Sequence, residues 1–387
     1  MKVLIIGDFC YPNYMGGSSK HVFDLITNFP SDEVDFHLIT RKRSDGQYSA
    51  DEREAQKVYD RIKDEGRITE VSTKHIFNPF TYLRHIRKAD IVVLQHPVMG
   101  LFGGLWGRLY AKPIIYHYHG PLHLEYSMKT GKNGLHYKLL WLMQKVTVLL
   151  SNFVLTHSDY MKRVSIKEHK VPTSKCIYLP PYIKRHEIRK NLSYIKNNAK
   201  IKLLIPRRLT SRTGVIEFLN SFLTFPDDFR SRFDVFVTGK GELQSQVESL
   251  VAKDPDNLHY IGFVSYDDLW ALYSKVDSVV VPTLDLEGFG YVILEGFSCG
   301  SSAIVSYTCG GGYEFIKHHL GDDYVFDVYS PESVKKALLA VQRNRYQREV
   351  FIHIADKYTT ENMIKYYLDN ILSPLYRNSF PCLLSLG

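Results

Sequence analysis

Residues 282–300 read PTLDLEGFGYVILEGFSCG, and the rest of the chain is organised around this stretch. It follows an apolar run at residues 279–281 that is typical of a strand. Gly288 and Gly290 allow the backbone to turn sharply and to approach a ligand closely. The pattern predicts a helix that begins near Gly290 and ends at Gly300, where glycine suits a left-handed cap.

Two carboxylates belong to this stretch. Glu287 lies in the loop before the predicted helix, and Glu295 is the only charged residue between positions 291 and 303. Because a helix this apolar is expected to be buried, Glu295 needs a hydrogen-bonding partner such as a sugar or ribose hydroxyl. The helix N-terminus would suit a phosphate. The structural alternative is a Glu that precedes a helix and a core Glu that backbone groups satisfy.

Length and composition predict a globular chain of two or three domains. The 387 residues are 44% apolar, which is enough for two hydrophobic cores. Five cysteines, at positions 10, 176, 299, 309 and 382, include no C-x2-C pair, so we expect a reducing compartment with neither a disulfide framework nor a zinc ribbon. No signal peptide is expected. The uncharged run at residues 91–107 contains four glycines and is interpreted as a strand followed by a loop.

Charge is distributed unevenly along the chain. Residues 1–200 carry 31 Lys and Arg against 18 Asp and Glu, a balance of +13, whereas residues 201–387 carry 18 against 23, a balance of −5. The basic half favours an anionic partner such as a lipid surface or a phosphorylated acceptor. The alternative is a solvated basic surface without a partner.

A strongly apolar segment at residues 135–150 is predicted to be helical. Lys138 and Lys145 are seven residues apart and share one face, so the helix could lie on an anionic membrane with both lysines at the headgroups. A core helix with two solvated lysines is the favoured interpretation, because the apolar positions exceed a typical interfacial face.

Strands and helices alternate in two successive series, which predicts parallel sheets covered on both faces. We place domains at residues 1–183 and 201–365, a linker at 184–200 and a C-terminal helix and tail at 366–387 that pack back toward the first domain. Residues 41–70 are interpreted as a loop with a surface helix. The predicted strands are residues 2–6, 34–40, 91–94, 113–118, 153–156 and 176–179 in the first series, and 202–205, 233–237, 258–261, 279–281, 303–306 and 324–326 in the second.

Candidate ligand-binding residues follow several of these strands, where open α/β sheets bind ligands. His119 closes the strand at 113–118, and Arg207, Arg208 and Arg212 follow the strand at 202–205. Guanidinium groups match phosphate oxygens, so the arginines suit a diphosphate, with a solvated charge cluster as the alternative. His117 and His119 share one face of their strand, which leaves a metal pair or a structural histidine as other interpretations.

Glu287 and Glu295, with Gly-Phe-Gly between them, resemble the E-x7-E motif of retaining GT-B glycosyltransferases of family four, and Cys299-Gly300 matches its continuation. The family usually has a small residue and Pro where this chain has Ser301-Ser302. The resemblance covers nearly the whole chain and is weak at residues 41–70. It implies an α/β fold of two Rossmann-like, doubly wound domains that face each other across a cleft.

The resemblance also implies roles for individual residues. Arg208 matches the family's Arg, and Thr213 stands at its Lys position, so the second cation must be Arg212 or Arg207. In the family, the residue matching Glu287 lies by the transferred sugar and that matching Glu295 binds the ribose. The implied catalytic residues are His119, Arg208, Arg212 and Glu287. The implied donor-binding residues are Gly16, Gly17, Gly239, Phe263, Gly288, Phe289, Gly290, Tyr291, Val292 and Glu295.

The function implied is transfer of a hexose-type sugar, with retention, from a nucleotide sugar to a glycan or lipid-linked acceptor in cell-surface polysaccharide or glycolipid assembly. We expect no metal, no cofactor and no nucleic-acid partner. We expect a cytoplasmic enzyme that can lie peripherally on the inner face of the cytoplasmic membrane. The alternatives are a nucleotide-sugar epimerase of similar architecture and a non-catalytic binding subunit with the GT-B fold.

Overall fold

The computed structural model describes residues 1–14, 17–42, 50–78, 80–184, 200–345 and 347–379. The chain divides into two compact units. Unit 1 comprises Met1–Leu179 together with Thr360–Gly387, and unit 2 comprises Pro180–Thr359. Most of the predicted linker, residues 185–199, lies outside the described residues.

Unit 1 contains a seven-stranded, all-parallel sheet with the strand order β3-β2-β1-β4-β5-β6-β7. Its inner strands are almost entirely buried, as expected where helices cover both faces of a parallel sheet. The strands are β1 (Lys2–Gly7), β2 (Asp35–Arg41), β3 (Ile68–Val71), β4 (Ile91–Leu94), β5 (Ile114–His117), β6 (Phe153–Thr156) and β7 (Cys176–Tyr178). The helices before residue 179 are α1 (Gly17–Asn28), α2 (Ala50–Asp64), α3 (Phe80–Lys88), α4 (Pro97–Leu109), α5 (Leu122–Thr130), α6 (Leu135–Leu150) and α7 (Asp159–His169).

Unit 2 repeats this plan with a six-stranded parallel sheet of order β10-β9-β8-β11-β12-β13. The strands are β8 (Ile201–Pro206), β9 (Phe233–Thr238), β10 (Leu258–Tyr260), β11 (Ser278–Val281), β12 (Ser302–Ser306) and β13 (Val325–Phe326). The helices are α8 (Val215–Leu223), α9 (Asp227–Arg230), α10 (Gln244–Val251), α11 (Tyr266–Lys275), α12 (Val292–Ser298), α13 (Gly311–Leu320), α14 (Pro331–Asn344) and α15 (Arg348–Ala355). The predicted doubly wound α/β architecture is therefore confirmed for both units.

The C-terminal segment belongs to unit 1. Helix α16 (Thr360–Tyr367) continues through a π-helical turn at Leu368–Leu372 into α17 (Ser373–Ser379). Helix α16 contacts α1, and Tyr367 packs its ring 6.0 Å from that of Phe29. The Tyr367 hydroxyl also lies 2.9 Å from Nε2 of His117, which fixes the segment to the carboxyl end of β5.

Helix α4 corrects one prediction, because residues after β4 that were interpreted as a loop form a helix instead. Its glycines recur at positions 100, 103, 104 and 107 and form one close-packed face. A methyl group built on Gly103 would lie 2.3 Å from Cδ1 of Ile6 in β1, and one on Gly104 would lie 3.1 Å from Leu150 of α6. Glycine is costly in an isolated helix, so tertiary packing outweighs local propensity here.

Strand β3 corrects a second prediction, because residues 41–70 were interpreted without a strand. Ile68–Val71 pairs with β2 at the edge of the sheet, and only its first and last residues are buried. Because charged residues surround this short segment, its strand pattern could not be recognised in the sequence. The surface helix expected in the same stretch is present as α2.

Helix α6 has the predicted extent, but the favoured interpretation of a core helix is wrong. Its described buried residues are Leu140, Gln144, Thr147 and Val148, while a stripe of large apolar side chains is exposed. That stripe consists of Leu135, Leu139, Leu142 and Leu149, with exposed fractions of 74%, 45%, 50% and 59%. Within the described residues, no helix is both long enough and apolar enough to span a bilayer.

We predict that Gly214→Ala destabilises unit 2 much more than Gly262→Ala. Both glycines have a positive φ, +66° and +72°, so both substitutions incur a strain of about 1–2 kcal/mol. Only at Gly214 does the added methyl group meet backbone, 1.8 Å from the carbonyl oxygen of Pro282, which adds about 1–3 kcal/mol. Chemical denaturation of the two variants measures the difference, and equal losses would contradict the packing.

Candidate active site

The candidate site lies at the carboxyl end of the unit 2 sheet. Strands β8 and β11 are neighbours, and the strand order reverses between them. Ligands of open α/β sheets bind at such a switch point, outside the strand ends. Arg207 and Arg208 follow β8, and the loop that contains Thr283 and Glu287 follows β11. The fold thus brings together residues about 80 positions apart in the chain.

Glycine lets the loops approach one another at this edge. Gly239, after β9, has a φ of +133°, and a methyl group built on it would lie 2.0 Å from the carbonyl oxygen of Arg207. The Tyr260 hydroxyl donates a hydrogen bond of 2.8 Å to the Gly239 carbonyl. The predicted donor-binding residue Gly239 therefore has a structural requirement as well, because no side chain fits between these strands.

The centre of the site is a salt bridge between Arg207 and Glu287. The Arg207 guanidinium donates to Oε2 of Glu287 and, at 2.8 Å, to Oγ1 of Thr283. Their side chains are only 9% and 16% exposed. Burial alone would raise the pKa of Glu287, but the charges of Arg207 and Arg212 outweigh it and hold that pKa below its usual value.

The other two arginines occupy different positions. Arg212 donates from Nη1 to the backbone carbonyls of Asp285 and Leu286, at 3.2 and 3.0 Å, and lies 3.7 Å from the Glu287 carboxylate. Arg208 is exposed, and among the described residues its guanidinium has no hydrogen bond or ion pair. Arg207 and Arg212 therefore organise the loop, and Arg208 has a side chain that can reach a ligand.

Glu295 is half-buried on α12, and its partner is a protein group. The Tyr273 hydroxyl donates a hydrogen bond of 2.6 Å to Oε2 of Glu295. Burial and the Glu295 carboxylate both raise the pKa of Tyr273 well above its usual value, so the phenol stays a donor. Tyr273 was not predicted as a site residue. Sequence spacing offers no signal for it, since the pair joins two helices.

Helix α12, which follows the glycine turn, is shorter than predicted. The helix spans Val292–Ser298, between Gly290 and Gly300, both of which have positive φ. Phe289 is buried against Phe315, with ring centroids 5.1 Å apart, so only its backbone is available at the loop surface. Tyr291, Val292 and Gly288 are partly exposed beside it.

Phe263 lies at the same sheet edge, after β10. Its ring is 66% exposed, and the Lys240 ammonium sits 4.6 Å above the ring centroid. An exposed aromatic ring with a neighbouring cation offers a stacking surface for a planar ligand group.

The remaining predicted residues belong to unit 1. Gly17 begins α1, and Gly16 lies outside the described residues. His119 follows β5, where Nε2 lies 2.9 Å from Oε1 of Gln95. Burial, followed by the charge of His157, lowers the pKa of His119 to about 3, so its imidazole is neutral at physiological pH.

Two family models match adjoining parts of the chain. Residues 15–185 match "Glycosyltransferase Family 4", and residues 186–358 match "Glycosyl transferases group 1". Residues 15–358 are thus similar to a glycosyltransferase family 4 domain followed by a glycosyl transferases group 1 domain.

The curated relatives and solved structures agree with this assignment. The chain is 23% identical over 360 residues to an uncharacterized glycosyltransferase of Methanocaldococcus jannaschii, covering 90% of each. It is 25% identical over 201 residues to the glycogen synthase of Mycoplasma mobile, covering 49% of this chain and 42% of that protein. Another uncharacterized M. jannaschii glycosyltransferase is matched over 41% of its length. The chain therefore spans only about two-fifths of the length of this protein and of the glycogen synthase.

Among solved structures, Anabaena HepE in complex with UDP and glucose superposes with a TM-score of 0.71 at 14% identity, covering 96% of this chain and all of that one. The lipopolysaccharide outer core galactosyltransferase WaaB superposes with the same TM-score and identity, covering 97% and 100%. At this identity the likeness establishes the fold, and it confirms the predicted GT-B architecture.

We predict that Arg207→Met destabilises unit 2 by about 3 kcal/mol. The substitution removes the main ion-pair partner of the Glu287 carboxylate, which stays charged and largely buried. The lowered pKa of Glu287 fixes the sign of the pH effect. The stabilisation is fully present above the unfolded pKa of a carboxyl and is lost as pH falls through the lower folded pKa.

Denaturation of wild type and Arg207→Met between pH 7 and pH 3 measures both effects, with the double variant Arg207→Met/Glu287→Leu as the control. We expect the gap between wild type and Arg207→Met to narrow at low pH. A gap that stays constant across this range would contradict the ion pair.

Proposed function

We propose that the protein transfers a hexose-type sugar from a nucleoside diphosphate sugar to a hydroxyl of a glycan or lipid-linked acceptor, with retention of configuration. The single observation that carries the proposal is the group of three arginines around the Glu287 loop, at the switch point of a doubly wound sheet. The UDP bound by Anabaena HepE, a protein of the same fold, supports a nucleotide donor.

The chemistry we propose breaks the bond between the anomeric carbon and the diphosphate oxygen. Negative charge then grows on the diphosphate, and the guanidinium groups of the exposed Arg208 and of Arg212 stabilise that charge. The acceptor oxygen attacks the face that the diphosphate leaves and passes its proton to a departing phosphate oxygen. Glu287, held as a carboxylate by Arg207, accepts a hydrogen bond from the transferred sugar, and Glu295 binds the ribose.

The donor is identified by thermal shift against UDP-glucose, ADP-glucose and GDP-mannose, because a ligand that binds the folded state raises its apparent stability. Product analysis then separates the functions: a glycosylated acceptor with free nucleoside diphosphate supports transfer, and a converted nucleotide sugar indicates an epimerase. Absence of binding and of turnover with every nucleotide sugar would indicate a non-catalytic subunit.

Arg208→Ala is predicted to lower kcat by roughly 10²–10³-fold, comparable to the loss of one oxyanion-hole donor. The matched control is Arg232→Ala, which removes another exposed cation of unit 2, one that pairs with Asp228 at 3.8 Å and lies over the Phe229 ring. Steady-state kinetics of both variants test the role of Arg208. Wild-type turnover in Arg208→Ala would show that this residue takes no part in the reaction.

Glu295→Gln is predicted to weaken donor binding by about 1–3 kcal/mol, because a charged acceptor for the ribose hydroxyls is lost. Calorimetric titration of the donor measures this, and Tyr273→Phe serves as the comparison, because it removes only the protein partner of the carboxylate. An unchanged donor affinity in folded Glu295→Gln would contradict the role.

We further propose that the diphosphate is neutralised by arginine and needs no hard cation. Mg²⁺ and Mn²⁺ prefer oxygen ligands, and the described loop offers guanidinium groups around a Glu287 carboxylate that is already paired. Turnover should be the same with and without added Mg²⁺ or Mn²⁺. Stimulation of tenfold or more by either ion would count against this reading.

The lipid-linked acceptor is proposed from the surface of α6. Its buried face is partly polar: Gln144 bonds to the Tyr116 hydroxyl, the Gly120 carbonyl and the Leu122 N–H, while the leucine stripe points outward. Residues 91–158 carry six Lys and Arg and a single acidic residue, Glu125. Apolar side chains beside cations, with few acids, fit an anionic bilayer surface.

Of the two lysines predicted at the headgroups, Lys138 is exposed, whereas the Lys145 ammonium donates to the His169 carbonyl. The double variant Leu139→Glu/Leu142→Glu should abolish co-sedimentation with anionic vesicles. Val350→Glu, at a similarly exposed apolar position of unit 2, should not. Binding should weaken at high salt, because surface charge attraction is screened. Equal binding to neutral and anionic vesicles, or none to either, would refute the electrostatic docking.

A further inference from the structure

Three imidazole rings converge at the carboxyl end of the unit 1 sheet. His21 comes from α1, His117 ends β5, and His157 follows β6. One ring nitrogen of each lies within 4.8 Å of the other two. Nε2 of His21 is 3.1 Å from Nδ1 of His117. The three residues are far apart in sequence, so only the fold creates this group.

Second partners fix the orientation of two of these rings. Nδ1 of His157 lies 3.1 Å from the carbonyl oxygen of Leu179, which can only accept, so this nitrogen carries the hydrogen and Nε2 carries the lone pair. Nε2 of His117 lies 2.9 Å from the Tyr367 hydroxyl, which can accept its hydrogen and so leave the lone pair on Nδ1. Metal-binding histidines characteristically donate their other ring N–H in this way.

The protonation states of the three histidines also favour metal binding. Burial, followed by the charges of neighbouring histidines, holds the pKa of His21 and of His117 well below the usual value. Burial lowers the pKa of His157 to about 4. All three imidazoles are therefore neutral at physiological pH, the form that binds metal ions, and the hydrogen shared between His21 and His117 moves to Nδ1 of His21 when the ion binds.

We propose that His21, His117 and His157 bind one Zn²⁺ ion through three ring nitrogens, with the fourth position open to water or to a ligand oxygen. Imidazole ligands suit Zn²⁺, whereas Mg²⁺ and Ca²⁺ require oxygen ligands that this group lacks. Tetrahedral Zn²⁺ with Zn–N bonds of about 2.0–2.1 Å places ligand nitrogens about 3.3 Å apart. The 3.1 Å separation of His21 and His117 is already close to this value, and the ligand nitrogen of His157 lies within 4.8 Å of both.

This site differs from the metal pair that the sequence suggested. His119 lies beside the group, but its Nε2 lies against Gln95, and its ring centroid is 6.1 Å from that of His117. The ion would join α1, β5 and the segment after β6. Through the Tyr367 hydroxyl it would also join α16, so it would stabilise unit 1. Zinc binding at this site does not require the proposed transfer reaction, whose arginines lie in unit 2.

The test uses the whole 387-residue chain, stripped of metal by a chelator and then dialysed. Titration with Zn²⁺ against a chromophoric chelator should give one equivalent bound and a raised thermal midpoint. His157→Gln, which removes a ligand, should weaken Zn²⁺ binding by at least about 100-fold, and Tyr367→Phe, which removes only the partner of His117, by about 10- to 100-fold. The matched control is His85→Gln, because His85 stacks on His37, with ring centroids 4.0 Å apart, in another part of unit 1.

Unchanged Zn²⁺ affinity in His157→Gln overturns the proposal, as does loss of affinity in His85→Gln of equal size. Should His157→Gln fail to fold, Co²⁺ bound to the wild-type protein decides the question. Intense visible absorption bands of a four-coordinate Co²⁺ ion support the site, and weak bands of a six-coordinate ion, or no stoichiometric binding, overturn it.

Discussion

The buried salt bridge between Arg207 and Glu287 is the interaction on which the unit 2 site depends. It joins the segment after β8 to the loop after β11, at the place where the strand order reverses. Removing two charges from water is costly, and the cost is offset only when both groups keep good partners. Thr283 and Arg212 supply those partners, so the loop has one favoured arrangement. The neighbouring Arg208 is left exposed for a ligand.

Both units use the same topology and place their chemistry at the same edge of the sheet, but with different side chains. In unit 2 the edge collects guanidinium groups, which remain charged and suit an anionic ligand. In unit 1 it collects imidazoles whose burial keeps them neutral, which suits a metal ion or a hydrogen-bonding role. The parallel sheet explains the shared location, because the carboxyl ends of all its strands meet at one edge.

Helices α4 and α6 show how tertiary structure can reverse a local pattern. The four glycines of α4 predicted a loop, because glycine has a low helix propensity. In the structure they allow the helix to approach β1 and α6 closely. The leucines of α6 suggested a core helix, yet the side it buries includes Gln144 and Thr147, whose hydrogen bonds are satisfied inside unit 1. Burial here follows what the neighbouring elements can accept and not hydrophobicity alone.

The sequence by itself determined the alternation of strands and helices, the glycine turn before α12 and the arginines after β8. These features are local: apolar runs, turn residues and charges at strand ends can be recognised without knowing what lies beside them. Tertiary structure decided which arginine holds Glu287, that Tyr273 is the partner of Glu295, and that His21 and His157 join His117. It also decided the exposure of α6 and the strand at Ile68–Val71. Each of these depends on contacts between segments far apart in the chain, and such contacts are set by the packing of the sheet and its helices.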